Sequence, residues 1–256
     1  MMQIIKYWYI GGDIHGDWRP IRNWVVNSLT TPKDESAIIL LGDVGANYYG
    51  DYRDRNFKKE LNKLGISIYC IRGNHEQRIT DVIKFGNFTY RYDFDVKGYT
   101  YQEQGFPNIF YFNDAGGIYE IAHKQVLIIP GAYSIDKHYR LQMGWNWFSN
   151  EQLDYNEQER LKIFAHDMDF DYILAHTCPL SWEPYIQDLF MSSINQSTVD
   201  KTTEKFLDDI IDDCSYKRFY FGHFHDDRDL PLVNATMLFR EIIPLGQKLN
   251  RSLQVD

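Results

Sequence analysis

The stretch Gly11-Gly12-Asp13-Ile14-His15-Gly16-Asp17-Trp18 (GGDIHGDW) follows directly on the apolar run Tyr7-Trp8-Tyr9-Ile10. It places a carboxylate and an imidazole at alternate positions where a strand would give way to a glycine-containing loop. Side chains so placed converge on one point beyond the strand end, a geometry suited to holding a cation. The pattern recurs along the chain. Residues 37–41 lead to Gly42-Asp43, and residues 66–71 lead to Arg72-Gly73-Asn74-His75-Glu76. Later, residues 172–175 lead to His176, and residues 218–221 lead to Gly222-His223-Phe224-His225.

Runs this short and apolar read as strands buried on both faces. Between the first two, residues 20–29 carry Ile21, Trp24, Val25 and Leu29 at helical spacing. Residues 53–64 do the same between the second and third, with Gly65 as a C-terminal stop. Strand, helix, strand, helix, strand is the signature of an α/β sheet, and ligands of such sheets collect outside the carboxyl ends of the strands. Five of the eight histidines stand at these ends, together with Asp13, Asp43 and Asn74.

Composition sets the bounds. The 256 residues are 44% apolar and 16% aromatic, enough for a sizeable core, and the chain is expected to form one α/β domain over 1–256. No repeat, low-complexity tract or linker is visible. No window approaches the roughly 18 apolar residues of a spanning helix, and the N-terminus lacks the apolar region of a signal peptide. The expected setting is the cytoplasm, without membrane contact. Cys70, Cys178 and Cys214 have no paired spacing, which fits reduced thiols and excludes a thiolate zinc site of the usual kind. A net charge of -9 argues against stable nucleic-acid binding through many phosphate contacts. A small anion held by a metal stays open.

Each motif alone has an ordinary structural explanation. Asp13 and Asp17 suit a turn, Glu76 suits a helix start, and His176 suits a buried, hydrogen-bonded position. The five together, in this order and each behind a strand, point to metal.

The set resembles the calcineurin-like metallophosphoesterases, whose pattern of Asp-x-His, Gly-Asp, Gly-Asn-His-[Asp/Glu], His and Gly-His-x-His is matched by Asp13/His15, Asp43, Asn74/His75/Glu76, His176 and His223/His225. Residues 130–136, with Arg140 and Gly144-Trp145-Asn146-Trp147, are similar to the middle segment of bacterial and phage members. The resemblance implies a four-layer α-β-β-α sandwich of two mixed sheets with two metals at the strand ends. It implies Asp13, His15 and His225 on one metal, Asn74, His176 and His223 on the other, and Asp43 bridging them. The implied reaction is phosphate-ester hydrolysis by a metal-bridging hydroxide, with His75 as general acid. Mn or Fe, with Zn as a third option, suits such nitrogen and oxygen donors.

One departure from the protein serine/threonine phosphatases matters. Ala46 and Asn47 stand where those enzymes carry an Asp that supports the histidine and an Arg that grips phosphate. Asp51 or Asp54 are candidates to support His75, and Arg140 is the candidate phosphate contact ahead of Arg72, which next to the motif can instead brace the loop. Asp17 is expected to orient the first ligands. A phosphatase-like monoesterase and a metal-binding regulatory module without catalysis are the alternatives. His123, His138 and His166 are expected in surface or structural roles. The aromatic stretch 85–112 reads as a half-buried strand pair, with a lid or stacking platform as the sharper option. Residues 145–148 are expected to pack rather than to form a dimer surface.

Overall fold

A computed structural model describes residues 4–84 and 87–249. In chain order the elements are β1 (Tyr7–Gly11), α1 (Arg19–Asn27), β2 (Ser36–Leu40), α2 (Tyr52–Asn62), β3 (Ser67–Cys70), α3 (Ile79–Val82), β4 (Phe88–Asp93), β5 (Gly98–Glu103), β6 (Ile109–Tyr111), β7 (Gly117–Ile121) and β8 (Lys124–Ile129). They continue as α4 (Lys137–Met143), α5 (Tyr155–Ala165), β9 (Asp169–Ala175), α6 (Thr202–Asp213), β10 (Ser215–Phe221), β11 (Arg228–Leu230), β12 (Ala235–Met237) and β13 (Ile242–Pro244).

The strands form two sheets, ordered β13-β1-β2-β3-β6-β5-β4 and β11-β12-β10-β9-β8-β7. Both are mixed. In the first, β1, β2, β3 and β6 run parallel, with antiparallel neighbours at either side. In the second, β8, β9, β10 and β12 run parallel between antiparallel β7 and β11.

Side-chain alternation on these strands sets the layers, because successive residues face opposite sides of a sheet. On β2, Ile38 and Leu40 meet Ile21 and Val25 of α1 and Phe57 and Leu61 of α2. Ala37 and Ile39 face the other way and join Trp8, Ile10 and Tyr69 against Val126, Ile128, Leu174 and Tyr220 of the second sheet. On the far side, Phe219 and Phe221 of β10 pack on Leu161 of α5 and on Phe206, Leu207 and Ile210 of α6. Helices, sheet, sheet, helices make an α-β-β-α sandwich.

The helices start where the sequence predicts. Pro20 enters α1 in its first turn, where its missing N–H leaves no intrahelical bond unmade. Asp51 caps α2 by accepting from the Arg53 N–H, and Gly65 takes a φ of +77° just beyond the helix.

The aromatic stretch is an antiparallel hairpin, β4 with β5, at the outer edge of the first sheet. Its position corrects the lid reading: Tyr90, Tyr92, Phe94 and Tyr99 are exposed there, and β5 and β6 separate the edge strand β4 from β3. Phe85 lies outside the described residues.

Candidate metal centre

The parallel strands β1, β2 and β3 of one sheet and β8, β9 and β10 of the other release their following loops at one end of the sandwich. Asp13 follows β1, Asp43 follows β2, Asn74 and His75 follow β3, His176 follows β9, and His223 and His225 follow β10. Backbone bonds stitch these loops together: His15 N–H donates to Asp43 O at 2.8 Å, Gly16 N–H to Val44 O at 2.9 Å, and Gly222 N–H to His176 O at 3.0 Å.

The close approach of the loops explains their glycines. A Cβ on Gly73 would sit 2.1 Å from Asp43 Oδ1, and one on Gly222 would sit 2.2 Å from Asp13 Oδ1, so no side chain fits at either position. His15, Asp43, His223 and His225 all take positive φ, between +45° and +70°. Such backbone costs about 1–2 kcal/mol per residue, and its concentration here means that the surrounding contacts hold it.

Among the described residues, donor atoms gather into three groups in which all members lie within 4.8 Å of one another: Asp13 with His15 and His225, Asp13 with Asp43 and His176, and His15 with Asp43 and His75. His15 Nε2 faces His225 Nε2 at 2.8 Å, and His225 Nε2 is 3.5 Å from Asp13 Oδ2. His176 Nε2 is 2.9 Å from Asn74 Oδ1 and 3.5 Å from Asp43 Oδ1, while its Nδ1 is fixed at 2.7 Å from Leu41 O. His223 stands in none of the three groups. Its ring meets His176 edge-on at 5.0 Å, and its backbone N–H donates to Asp13 Oδ2 at 3.0 Å.

The electrostatics suit a cation. Burial holds His15 down to about 4 and pushes His223 and His225 below the usual imidazole value, so all three are neutral at pH 7 with lone pairs to offer. Burial opposes charge on His176 too, but Asp43 and Asp13 outweigh it and raise the imidazole to about 9. Burial likewise raises Asp13, while in Asp43 the neighbouring His75 and His176 overcome burial and hold the carboxyl well below its ordinary value. A proton on His176 and a cation beside the two carboxylates answer the same buried negative charge. Asp13 Oδ1 tests the fit. It is buried and has no hydrogen-bond partner in the protein, a costly state for a carboxylate oxygen unless a cation meets it.

His75 lies on the outer side of this cluster, its Nδ1 3.3 Å from Asp43 Oδ2. Arg140 Nη2 is 3.1 Å from His75 Nδ1. A guanidinium only donates, so Nδ1 is the acceptor and neutral His75 carries its proton on Nε2. Asp136 Oδ1 lies 3.7 Å from that Nε2 and also binds Arg140 Nε at 2.8 Å. Burial opposes ionisation of Asp136, but His75 and Arg140 overcome it and hold the carboxyl at about 2. Arg140 completes its contacts with Tyr48 OH at 3.0 Å.

Several expectations are corrected. Asp51 caps α2 and Asp54 accepts from the Tyr49 and Gly50 N–H groups, so neither supports His75; Asp136 stands beside it instead. Asp17 forms a bidentate pair with Arg19 at the surface and orients none of the candidate ligands. Arg72 is buried and donates to Glu151 O at 2.7 Å and Gly73 O at 3.2 Å, bracing the loop rather than facing the cleft. Trp145, expected to pack, is half exposed on the cleft wall. His123, His138 and His166 are exposed, as anticipated.

Three supports were missed. Glu76 accepts from the Gly45, Ala46 and Gly73 N–H groups and so ties the Asp43 loop to the Asn74 loop. Ser134 Oγ accepts from Asn74 Nδ2 at 2.8 Å and donates to Glu151 Oε2 at 2.5 Å, orienting the amide so that Oδ1 faces His176. Asp136 is the third. A signal existed: residues 126–129, apolar and followed by Pro130-Gly131, repeat the strand-then-glycine pattern.

Beside His15, Asp43, His75 and Arg140 opens a cleft of about 530 Å3 whose walls include Tyr48, Tyr49 and Trp145.

No curated protein sequence matches the chain. Among solved structures it is similar to TT1561 of Thermus thermophilus, with 12% identity and a TM-score of 0.43 over 94% of this chain and 98% of that one. It is also similar to AQ665 of Aquifex aeolicus, described as a protein of unknown function, with 13% identity and a TM-score of 0.36 over 93% and 95% of the two chains. The sequence profile of the calcineurin-like phosphoesterases matches residues 9–227, most of the chain, and the protein belongs to that family of metal-dependent phosphoesterases.

Proposed function

We propose that this enzyme works as one domain over 1–256 and hydrolyses phosphate esters at a two-metal centre, with Asp13, His15 and His225 on one ion, Asn74, His176 and His223 on the other, and Asp43 shared. The observation that carries the reading is Asp13 Oδ1, buried without a protein partner among imidazoles and a second carboxylate. Bound cations, Mn or Fe with Zn as a third option, would polarise the phosphoryl oxygens and lower the pKa of a water between them. Packing between the two sheets, which draws on Trp8 and Ile39 from one and Val126 and Tyr220 from the other, supports a single domain.

The protein's own groups do the rest. Asn74 offers a neutral oxygen, which keeps the site less repulsive to an anionic substrate. Arg140 is held by Asp136 and Tyr48 with one edge toward His75, so its guanidinium is preorganised for a phosphate oxygen without a reorganisation cost. The imidazolium form of His75, with Asp43 Oδ2 3.3 Å from Nδ1 and Asp136 Oδ1 3.7 Å from Nε2, gives its Nε2 proton to the leaving oxygen as general acid and is left as the neutral Nδ1–H tautomer. When water replaces the leaving group on phosphorus, that proton prevents expulsion of a bare alkoxide.

Free Cys70, Cys178 and Cys214 support a reducing, cytoplasmic setting. The net charge of -9 supports a small substrate over stable nucleic-acid binding. Among the described residues, no helix is long and apolar enough to cross a membrane.

The test is paired hydrolysis of p-nitrophenyl phosphate and bis-p-nitrophenyl phosphate with added Mn, on the native protein and on Asp43→Asn and His75→Ala. Loss of turnover in Asp43→Asn and a reduction of about a hundredfold in His75→Ala are expected. Unchanged kcat in His75→Ala would withdraw its role as acid, and no turnover of either ester with two Mn bound would withdraw the hydrolytic reading of this site.

A further inference from the structure

The cleft reaches past His75 and Arg140 onto a wall that holds no candidate metal ligand, built from Tyr48, Tyr49, Arg53, Trp145 and Asn146. Trp145 is the unusual member. Of the six tryptophans, all within the described residues, it alone is exposed, with half its surface open to solvent. Large aromatic rings left open on a cleft wall are better explained by a ligand than by packing.

The indole is held in place without being covered. Gly144 ends α4 in a left-handed turn, Trp145 N–H donates to Arg140 O at 2.8 Å, and Tyr139 meets the ring edge-on at 5.5 Å. Its neighbour Asn146 donates to Tyr48 O at 2.7 Å and so ties this segment to the loop carrying Tyr48 and Tyr49. Across that loop the Arg53 guanidinium lies 3.6 Å over the Tyr49 ring and grips Asp51 with Nε and Nη2. The platform is therefore fixed before anything binds, and little conformational freedom is lost on binding.

We propose that the leaving group of the substrate is a nucleoside, with its base stacked on Trp145 while its phosphate meets Arg140 and the centre beneath. This rests on the phosphoesterase reading and names its substrate class. A cleft of about 530 Å3 lies in the range of small-molecule sites and suits a single nucleotide. Stacking is tolerant of base identity because every base presents a π face, so the platform selects a nucleoside without selecting one base. A phosphorylated protein segment would ask for a groove taking the flanking backbone, and no wall of this cleft is an open strand edge.

The experiment titrates the full chain with adenosine 5′-monophosphate, following tryptophan fluorescence and, with Mn present, release of phosphate. Ribose 5-phosphate supplies the same phosphate without a base, and phosphotyrosine supplies an aryl ring on a protein side chain. The expected result is quenching by the nucleotide, with affinity at least tenfold above that of ribose 5-phosphate. Trp145→Ala should abolish the quench and raise KM for the nucleotide about ten- to a hundredfold, the size of one base stack and well beyond any change on ribose 5-phosphate. Trp145→Phe should restore most of the affinity. Equal affinity for the two phosphates, an unchanged quench in Trp145→Ala, or a tenfold preference for phosphotyrosine would each overturn the proposal. Quenching through Trp145 without hydrolysis of any ester would keep the base site and remove the hydrolytic reading; hydrolysis indifferent to the base would do the reverse.

Discussion

Replacing Gly73 by alanine sets one methyl group against the Asp43 carboxylate. The added Cβ would lie 2.1 Å from Asp43 Oδ1, 2.3 Å from Asp43 N and 2.8 Å from Asp43 Cγ. Ordinary contact begins at 3.4 Å, so the two loops must part by about 1.3 Å. Neither side has room to yield. Asp43 Oδ1 accepts from the His75 N–H at 2.8 Å, and Gly73 N–H itself donates to Glu76 at 3.2 Å. Overpacking of this kind costs about 1–3 kcal/mol of stability. A displacement of about 1 Å at a catalytic group costs about a hundredfold in rate, which corresponds to about 2.7 kcal/mol of transition-state stabilisation. Gly73→Ala should therefore remain folded at 20 °C, bind Mn at least tenfold more weakly by calorimetry, and lose about a hundredfold in kcat/KM on an aryl phosphate. Gly105→Ala is the comparison, because Gly105 takes a φ of +95° with no atom within 4 Å of the added Cβ. That variant should lose stability through backbone strain and keep its metal affinity. Mn affinity and kcat/KM within threefold of native in folded Gly73→Ala would refute the placement of Asp43 at the heart of the site.

Other outcomes follow from the same geometry. Mn at a hundred times its Kd should stabilise the protein by about 2.7 kcal/mol, a rise in Tm of roughly 5 °C, and Asp43→Asn should lose most of that rise in a thermal scan. Arg140→Lys, which cannot reproduce a fork binding Asp136, Tyr48 and His75 together, should lower kcat/KM about ten- to a hundredfold; a loss below threefold would remove Arg140 from the site. Burial in the first turn of α6 raises Glu204 to about 7 from 4.5, and its Oε2 has no hydrogen-bond partner. A folded-state pKa above the unfolded one contributes stability that is complete below pH 4.5 and is lost as pH rises through about 7, an interval worth about 3 kcal/mol. Tm should accordingly fall by several degrees between pH 5 and pH 8 in the native protein and much less in Glu204→Gln, as measured by calorimetry.

Local sequence was enough for β1, β2, β3, β9 and β10 and for the residues at their ends. Runs such as Ile38-Ile39-Leu40 are apolar on both faces because one face meets helices and the other meets the second sheet. A side chain that must sit at the end of such a strand is adjacent to it in the chain, which is why Asp13, Asp43, Asn74, His176 and His223 could be picked out together. The glycines of these loops are visible in the sequence, but that Gly42, Gly73 and Gly222 stand where loops crowd emerges only in the folded chain.

Only the tertiary structure decided which groups serve the histidine and which do not. Asp136 reaches His75 across 61 positions because β8 lies beside β9 in the second sheet and delivers its loop to the same end as β3 of the first. Asp51 and Asp54 are nearer in sequence, but α2 turns them to helix capping and loop bonding. Arg72 and Arg140 look alike in the sequence; burial against Glu151 O and Gly73 O makes the first a brace, and a position on the cleft wall leaves the second facing His75. The β4–β5 tyrosines lie on the strand pair that the sequence suggested, whereas Trp145, expected to pack, stands on the cleft wall for the same reason. Periodicity reports which side of an element is apolar, whereas sheet order and loop packing determine what that side meets, and those depend on contacts between segments far apart in the chain.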